Sequence, residues 1–144
     1  MTNQAIRRKL LLYYATTLFS ILFAIVGFSY NAWRLEQSEY NASVRVAAFS
    51  MLSTLAEFEQ VVFANYYDNN LEKGNPRTGW GKVILMEDLA SLMAPPVAKQ
   101  SKTLKQAWQN HWQTLPKSTA SLTAIEENID LLRQAIKSEI KQLN

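Results

Sequence analysis

Hydrophobic positions along this chain fall into two regimes. From Leu10 to Tyr30 the sequence reads LLLYYATTLFSILFAIVGFSY, and no charged residue occurs from Leu10 through Trp33. Beyond Trp33 the apolar residues thin to stripes. Val44, Ala48, Met51, Leu55, Phe58, Val62 and Tyr66 recur every three or four residues, which is one face of an α-helix. Leu122, Ile125, Ile129, Leu132, Ile136, Ile140 and Leu143 repeat the pattern near the C-terminus. The opposite side of that last helix carries Glu126, Glu127, Asp130, Arg133, Lys137 and Lys141, acidic first and basic last, which complements the helix dipole. No stretch alternates with a period of two, so no strand is predicted.

Turn formers divide the rest. Asp68-Asn69-Asn70 and Gly74-Asn75-Pro76-Arg77-Thr78-Gly79 predict one long turn, with Gly81 at its exit. No Gly or Pro occurs between Tyr30 and Lys73, so the first helix is expected to run unbroken from the membrane to about Asp68. A second helix is predicted over Lys82 to Met93, ended by Pro95-Pro96. A third carries Leu104, Trp108 and Trp112 to about Leu115, and Pro116 breaks it. Ser118 or Thr119 can cap the last helix. The expected fold is all-α: a single N-terminal transmembrane helix continuing into an extracytoplasmic antiparallel bundle of three or four helices. Four follow if Pro95-Pro96 is a turn, three if it is a kink.

The apolar run sets the organisation. At about 1.5 Å per residue it spans roughly 30 Å, the hydrocarbon thickness of a bilayer. Tyr13 and Tyr14 mark one end, Tyr30 and Trp33 the other, as in an interfacial aromatic belt. A cleaved signal peptide has a shorter apolar region and ends in small residues; this run is longer and ends in bulky ones. The reading is an uncleaved anchor with a basic tail at 1–9, a span at 10–30 and a helical domain at 31–144. Arg7, Arg8 and Lys9 place the N-terminus in the cytoplasm, the span in the inner (plasma) membrane and the domain on the periplasmic or extracytoplasmic side.

Charge and composition then narrow the function. The net charge is +3 with a pI near 9.2. Arg7, Arg8 and Lys9 precede the apolar run; the other 12 basic residues and all 12 acidic ones follow it. The domain is formally neutral, and no basic face for nucleic acid is concentrated there. There is no cysteine, which removes disulfides, thiolate nucleophiles and cysteine-ligated zinc. The single histidine, His111, has Trp108 three residues before it, so it does not complete a carboxylate–histidine metal motif. Glu57 with Glu59, Glu87 with Asp88, and Glu126 with Glu127 are one or two residues apart on helices and point in different directions. The Gly74–Gly79 segment is not a phosphate loop, since Pro76 removes an N–H and no Gly-Lys-Ser/Thr follows. No enzyme, cofactor or metal is expected.

Binding surfaces remain. Thr17, Ser20, Ala24, Gly27 and Asn31 fall at three–four spacing, a small-residue face against which another membrane helix can pack. The partner expected there is another membrane protein or a second copy of the chain. The near-heptad stripes on the first and last helices are compatible with a homo-oligomer. The distal turn is rich in Tyr66, Tyr67, Asp68, Asn69, Asn70, Arg77 and Trp80, residue types used in binding hot spots and small-ligand pockets. The same residues can equally cap the far end of a bundle and shape a turn. Trp108 and Trp112 form a second aromatic patch, or a core plug, at i, i+4.

In layout the chain resembles the sensor half of bacterial chemoreceptors and sensor kinases: a short basic N-terminus, one span, then a helical domain outside. The resemblance implies ligand sensing outside the membrane. The chain departs from that plan in lacking a second span and a cytoplasmic signalling region. If it is complete, about nine residues lie in the cytoplasm, too few to signal there alone. The first expectation is therefore a non-enzymatic interaction or regulatory subunit, and the second a ligand-sensing module.

Overall fold

The computed structural model describes residues 3–143; Met1, Thr2 and Asn144, at the ends of the predicted tail and domain, lie outside the described residues. The described residues are all-helical, with no strand. Helix α1 covers Asn3–Tyr66, α2 Pro76–Ala90, α3 Pro95–His111 and α4 Thr119–Gln142, with one 3-10 turn at Leu115–Lys117 before α4. The chain divides into two compact units, Met1–Tyr40 and Asn41–Asn144.

Among the described residues the first unit is helix alone. Every side chain described from Ile6 to Tyr40 is exposed. Among the described residues α1 is the one helix long and apolar enough to cross a membrane.

The second unit holds the core, which begins at Val44. From α1 it takes Val44, Ala48, Met51, Leu55, Phe58 and Val62, six of the seven stripe positions; the seventh, Tyr66, is half-buried. From α2 come Val83, Met86 and Ala90, from α3 Val97, Leu104 and Trp108, and from α4 Leu122, Ile125, Ile129, Leu132 and Ile136. Burial of this order, at about 25 cal/mol per Å² of apolar surface, is the main favourable term for folding.

Contacts between helices fix their directions. The Tyr66 and Thr119 hydroxyls are 2.9 Å apart, and Arg45 Nη2 donates to Leu143 O, so α4 runs opposite to α1. Asn65 meets Gly74 and Glu57 meets Lys82, so α2 runs opposite to α1. Gly79 meets Trp108 and Glu87 meets Lys105, so α3 runs opposite to α2. His111 meets Ser121 and Glu139 meets Ala94, so α4 runs opposite to α3.

Several boundaries differ from those the sequence predicts, each for a local reason. Pro95-Pro96 follows a turn, not a kink: Ala94 is extended and both prolines occupy the first turn of α3, where a missing N–H leaves no gap. The described residues therefore form four α-helices, the outcome expected if Pro95-Pro96 is a turn. Helix α2 starts six residues earlier than predicted, at Pro76, because Asn75 caps it by accepting from Arg77 N at 2.9 Å. Gly79 and Gly81 are consequently helical, not turn glycines. Helix α1 ends at Tyr66 and α3 at His111, short of Asp68 and Leu115. Ser118 is the cap of α4, accepting from Ser121 N at 3.2 Å.

Candidate functional site

The distal turn joins α1 to α2 and is built by its own asparagines. Asn69 has φ 49°, a left-handed conformation that asparagine tolerates better than most residues. Asn70 Oδ1 accepts from Glu72 N and Lys73 N, both at 3.0 Å. Asn65 is buried and its Nδ2 donates to Gly74 O at 2.9 Å. Gly74 packs so closely that a Cβ there would lie 2.5 Å from the Asn65 backbone nitrogen. The sequence reading places Gly74 in the turn but does not single out Asn65, its partner. The signal was present: an asparagine directly after the apolar run Val61–Ala64 and a glycine nine residues on.

The predicted tip residues do not converge. Tyr66 turns towards α4 through its hydroxyl, and Tyr67 stacks edge-on against it with centroids 4.8 Å apart. Phe63 meets the Tyr67 ring on another side at 5.7 Å. Asp68 and Arg77 are exposed, Asn70 serves the turn, and Trp80 is half-buried against the core. Arg77 forms no ion pair among the described residues.

A groove of about 490 Å³ opens beside this turn between α1 and α2. Glu57, Gln60, Phe63, Asp68, Lys73 and Lys82 are among its lining residues. Of the predicted tip residues only Asp68 lines it. Lys82 and Glu57 are ion-paired across it, both partly exposed. Its walls thus present both charge signs above an apolar floor, a combination suited to a small polar or zwitterionic molecule. Lys73 and Lys82 were missed in the sequence, where single lysines on helix flanks look like ordinary solvated charge.

The two tryptophans part company. Trp108 is fully buried, edge-to-face with Phe58 at 5.2 Å, and is a core residue. Its Nε1 has no hydrogen-bond partner. Trp112 is half-buried against the same core. His111 Nδ1 lies 3.2 Å from Ser121 Oγ, which is 2.8 Å from Thr114 Oγ1, a small polar network closing the α3–α4 corner. The carboxylates are spent on separate helix contacts: Glu57 on Lys82, Glu59 on Arg133 at 2.7 Å, Glu87 on Lys105. Among the described residues no group of three or more His, Cys, Asp or Glu is placed to hold a metal.

In the first unit the small-residue face is exposed along α1. Thr17 Oγ1 donates to Tyr13 O at 2.8 Å and Ser20 Oγ to Thr16 O at 2.9 Å, so both hydroxyls are satisfied inside the helix. Nothing lies within 4 Å of the Cβ position at Gly27. Ala24 and Asn31 are exposed in the same row.

No family model, no curated protein and no solved structure matches this chain.

Proposed function

We propose that this chain is a single-pass, membrane-anchored subunit that works by binding and not by catalysis. Leu10–Tyr30 crosses the inner membrane with the basic tail in the cytoplasm, and the four helices form an antiparallel bundle on the extracytoplasmic side. The small face docks on another membrane protein or on a second copy, and the bundle regulates or scaffolds what is held there. The observation that carries this reading is the uncharged, fully exposed helical run Leu10–Tyr30. Water would penalise so much exposed apolar surface, whereas lipid would accept it. The test is isolation of the full chain from its own membrane in mild detergent, with the mass of the intact complex measured. A second membrane protein in fixed stoichiometry supports the reading; a chain that runs alone as a monomer removes it.

A second reading, small-ligand sensing, is favoured by the groove beside the distal turn. It also accords with the layout resemblance to sensor input domains. A panel of amino acids and related small molecules should then raise the melting temperature of the chain, and Lys73→Ala should abolish that rise. No thermal shift with any member would remove zwitterion sensing.

A further inference from the structure

From Asn31 to Tyr40 every side chain of α1 is exposed. Leu35 and Ser38 lie in a row on this stretch, bracketed by Arg34 and Glu39. Leu35 is 60% exposed, a large apolar group with no neighbour in its own unit to cover it. Arg34 and Glu39 carry opposite charges, and among the described residues neither forms an ion pair.

Helical geometry explains why they stay apart. Successive residues turn by about 100°, so positions five apart point about 140° away from each other. Arg34 and Glu39 therefore sit on opposite flanks of the Leu35–Ser38 row and cannot meet within one chain. A second copy placed parallel and in register changes this. The Arg34 flank of one copy then faces the Glu39 flank of the other, and symmetry makes the contact twice. Flanking charges of this kind set partner and orientation in two-stranded helical coils.

We propose that α1 pairs with α1 of a second copy, parallel and in register, with Leu35 and Ser38 in the seam and two Arg34–Glu39 ion pairs on its flanks. The proposal rests on the reading that Leu10–Tyr30 crosses the membrane, because a common orientation in the bilayer excludes antiparallel pairing. Asn31 continues the row one turn back, where its amide faces its own copy. Within the span Gly27, Ala24, Ser20 and Thr17 stay in the same row and allow close approach. The charges choose the partner; the small residues only permit it.

The absence of cysteine gives a clean test. Single variants Leu35→Cys, Ser38→Cys, Glu36→Cys and Gln37→Cys of the full chain are oxidised with copper phenanthroline in native membranes. Covalent dimer, at twice the 16.4 kDa chain, is expected at 35 and 38 in several-fold excess over 36 and 37, which face away. In the Ser38→Cys background, Arg34→Glu or Glu39→Arg should lower the dimer several-fold, and the double swap should restore it. Equal yields at all four positions would overturn self-pairing, as would no dimer, or a product of another mass, from a chain that resists alkaline carbonate. Release of the chain by carbonate would overturn the membrane reading itself, and the pairing with it.

Discussion

The bare backbone of Gly79 in α2 is seated against the indole of Trp108 in α3, so close that a Cβ on residue 79 would lie 2.4 Å from Cζ2. Phe58 holds the indole from α1, edge-to-face at 5.2 Å. Three helices thus meet around one fully buried ring.

Gly79→Ala should therefore destabilise the helical domain although alanine is the better helix former. Intrinsic propensity favours alanine by about 1 kcal/mol. Overpacking against a rigid buried ring costs about 1–3 kcal/mol and should win. Gly81 in the same helix is the control, because nothing lies within 4 Å of its Cβ position. Gly81→Ala should be neutral or stabilising by up to about 1 kcal/mol. Urea unfolding of the two variants side by side checks this; equal midpoints would mean that the Trp108 contact relaxes freely.

Gly74→Ala should be the more severe glycine substitution. The added methyl meets the backbone of Asn65, at 2.5 Å from N and 2.6 Å from Cα, and backbone cannot rotate out of the way. The α1–α2 turn would have to open, breaking the Asn65 Nδ2 to Gly74 O bond. Asn65→Ala removes the same bond from the other side. It should cost about 1–3 kcal/mol, since Gly74 O would lose its donor at a buried position. Faster amide exchange at residues 70–74 in both variants, compared with Gly81→Ala, is the expected readout.

Why some of this was legible in the sequence and some was not follows from what each signal encodes. The stripes Val44–Val62 and Leu122–Ile136 are buried where their periodicity places them, because helical spacing and one-sided burial are the same fact seen twice. The sequence predicts a later start for α2 because Gly79 and Gly81 look like turn glycines, whereas both lie inside the helix. Gly79 is there for Trp108, a partner 29 residues away that no local pattern reveals. The tip residues shared one stretch of sequence but separated in space, since Tyr66 is drawn to Thr119 and Trp80 to the core. The groove charges Lys73 and Lys82 become neighbours only once α2 folds back along α1. Glu139 carried an overlooked clue: it falls in phase with the apolar stripe, three residues after Ile136.

That phase has a structural consequence. Glu139 is 8% exposed, and its Oε1 accepts the backbone N–H of Ala94, the cap residue of α3, at 2.9 Å. Pro95 and Pro96 have no N–H to offer, so the carboxylate serves the one backbone donor left at this turn. Its Oε2 is buried without a partner. Glu139→Ala should cost about 1 kcal/mol, the worth of a hydrogen bond lost by the part-buried Ala94 N–H. Glu139→Gln keeps an acceptor for Ala94 and should recover most of that loss. A glutamine variant as unstable as the alanine variant would show that charge at the α3 N-terminus, and not the hydrogen bond alone, holds the turn.

The ion pair of Arg133 with Glu59 links α4 to α1 at 2.7 Å, with side chains 26% and 28% exposed. Asp130 shares the same guanidinium at 2.6 Å. A three-member cluster at partial exposure exceeds a simple surface pair only modestly. Arg133→Met, which keeps the aliphatic packing, should cost no more than about 1 kcal/mol. The difference from the parent should shrink in high salt, because screening acts on the exposed part of the cluster. A loss that is larger and insensitive to salt would point to packing of the Arg133 stem.

Membrane insertion makes the sharpest prediction about the first unit. Leu22 lies near the middle of Leu10–Tyr30 and is exposed, as are the side chains around it. In a bilayer a lysine there would sit near the hydrocarbon midplane, costing about 2.5–3.5 kcal/mol on insertion. Lysine at residue 40, beyond the aromatic pair Tyr30 and Trp33, would lie in water and cost little. Leu22→Lys should therefore lower the fraction of chain that resists alkaline carbonate, whereas Tyr40→Lys should leave it unchanged. The comparison separates lipid from protein burial. If Leu10–Tyr30 were instead covered by a soluble partner, lysine at 22 would weaken that complex, and the parent chain would already be released by carbonate. Carbonate release of the parent would therefore refute a transmembrane span directly, before any variant is compared.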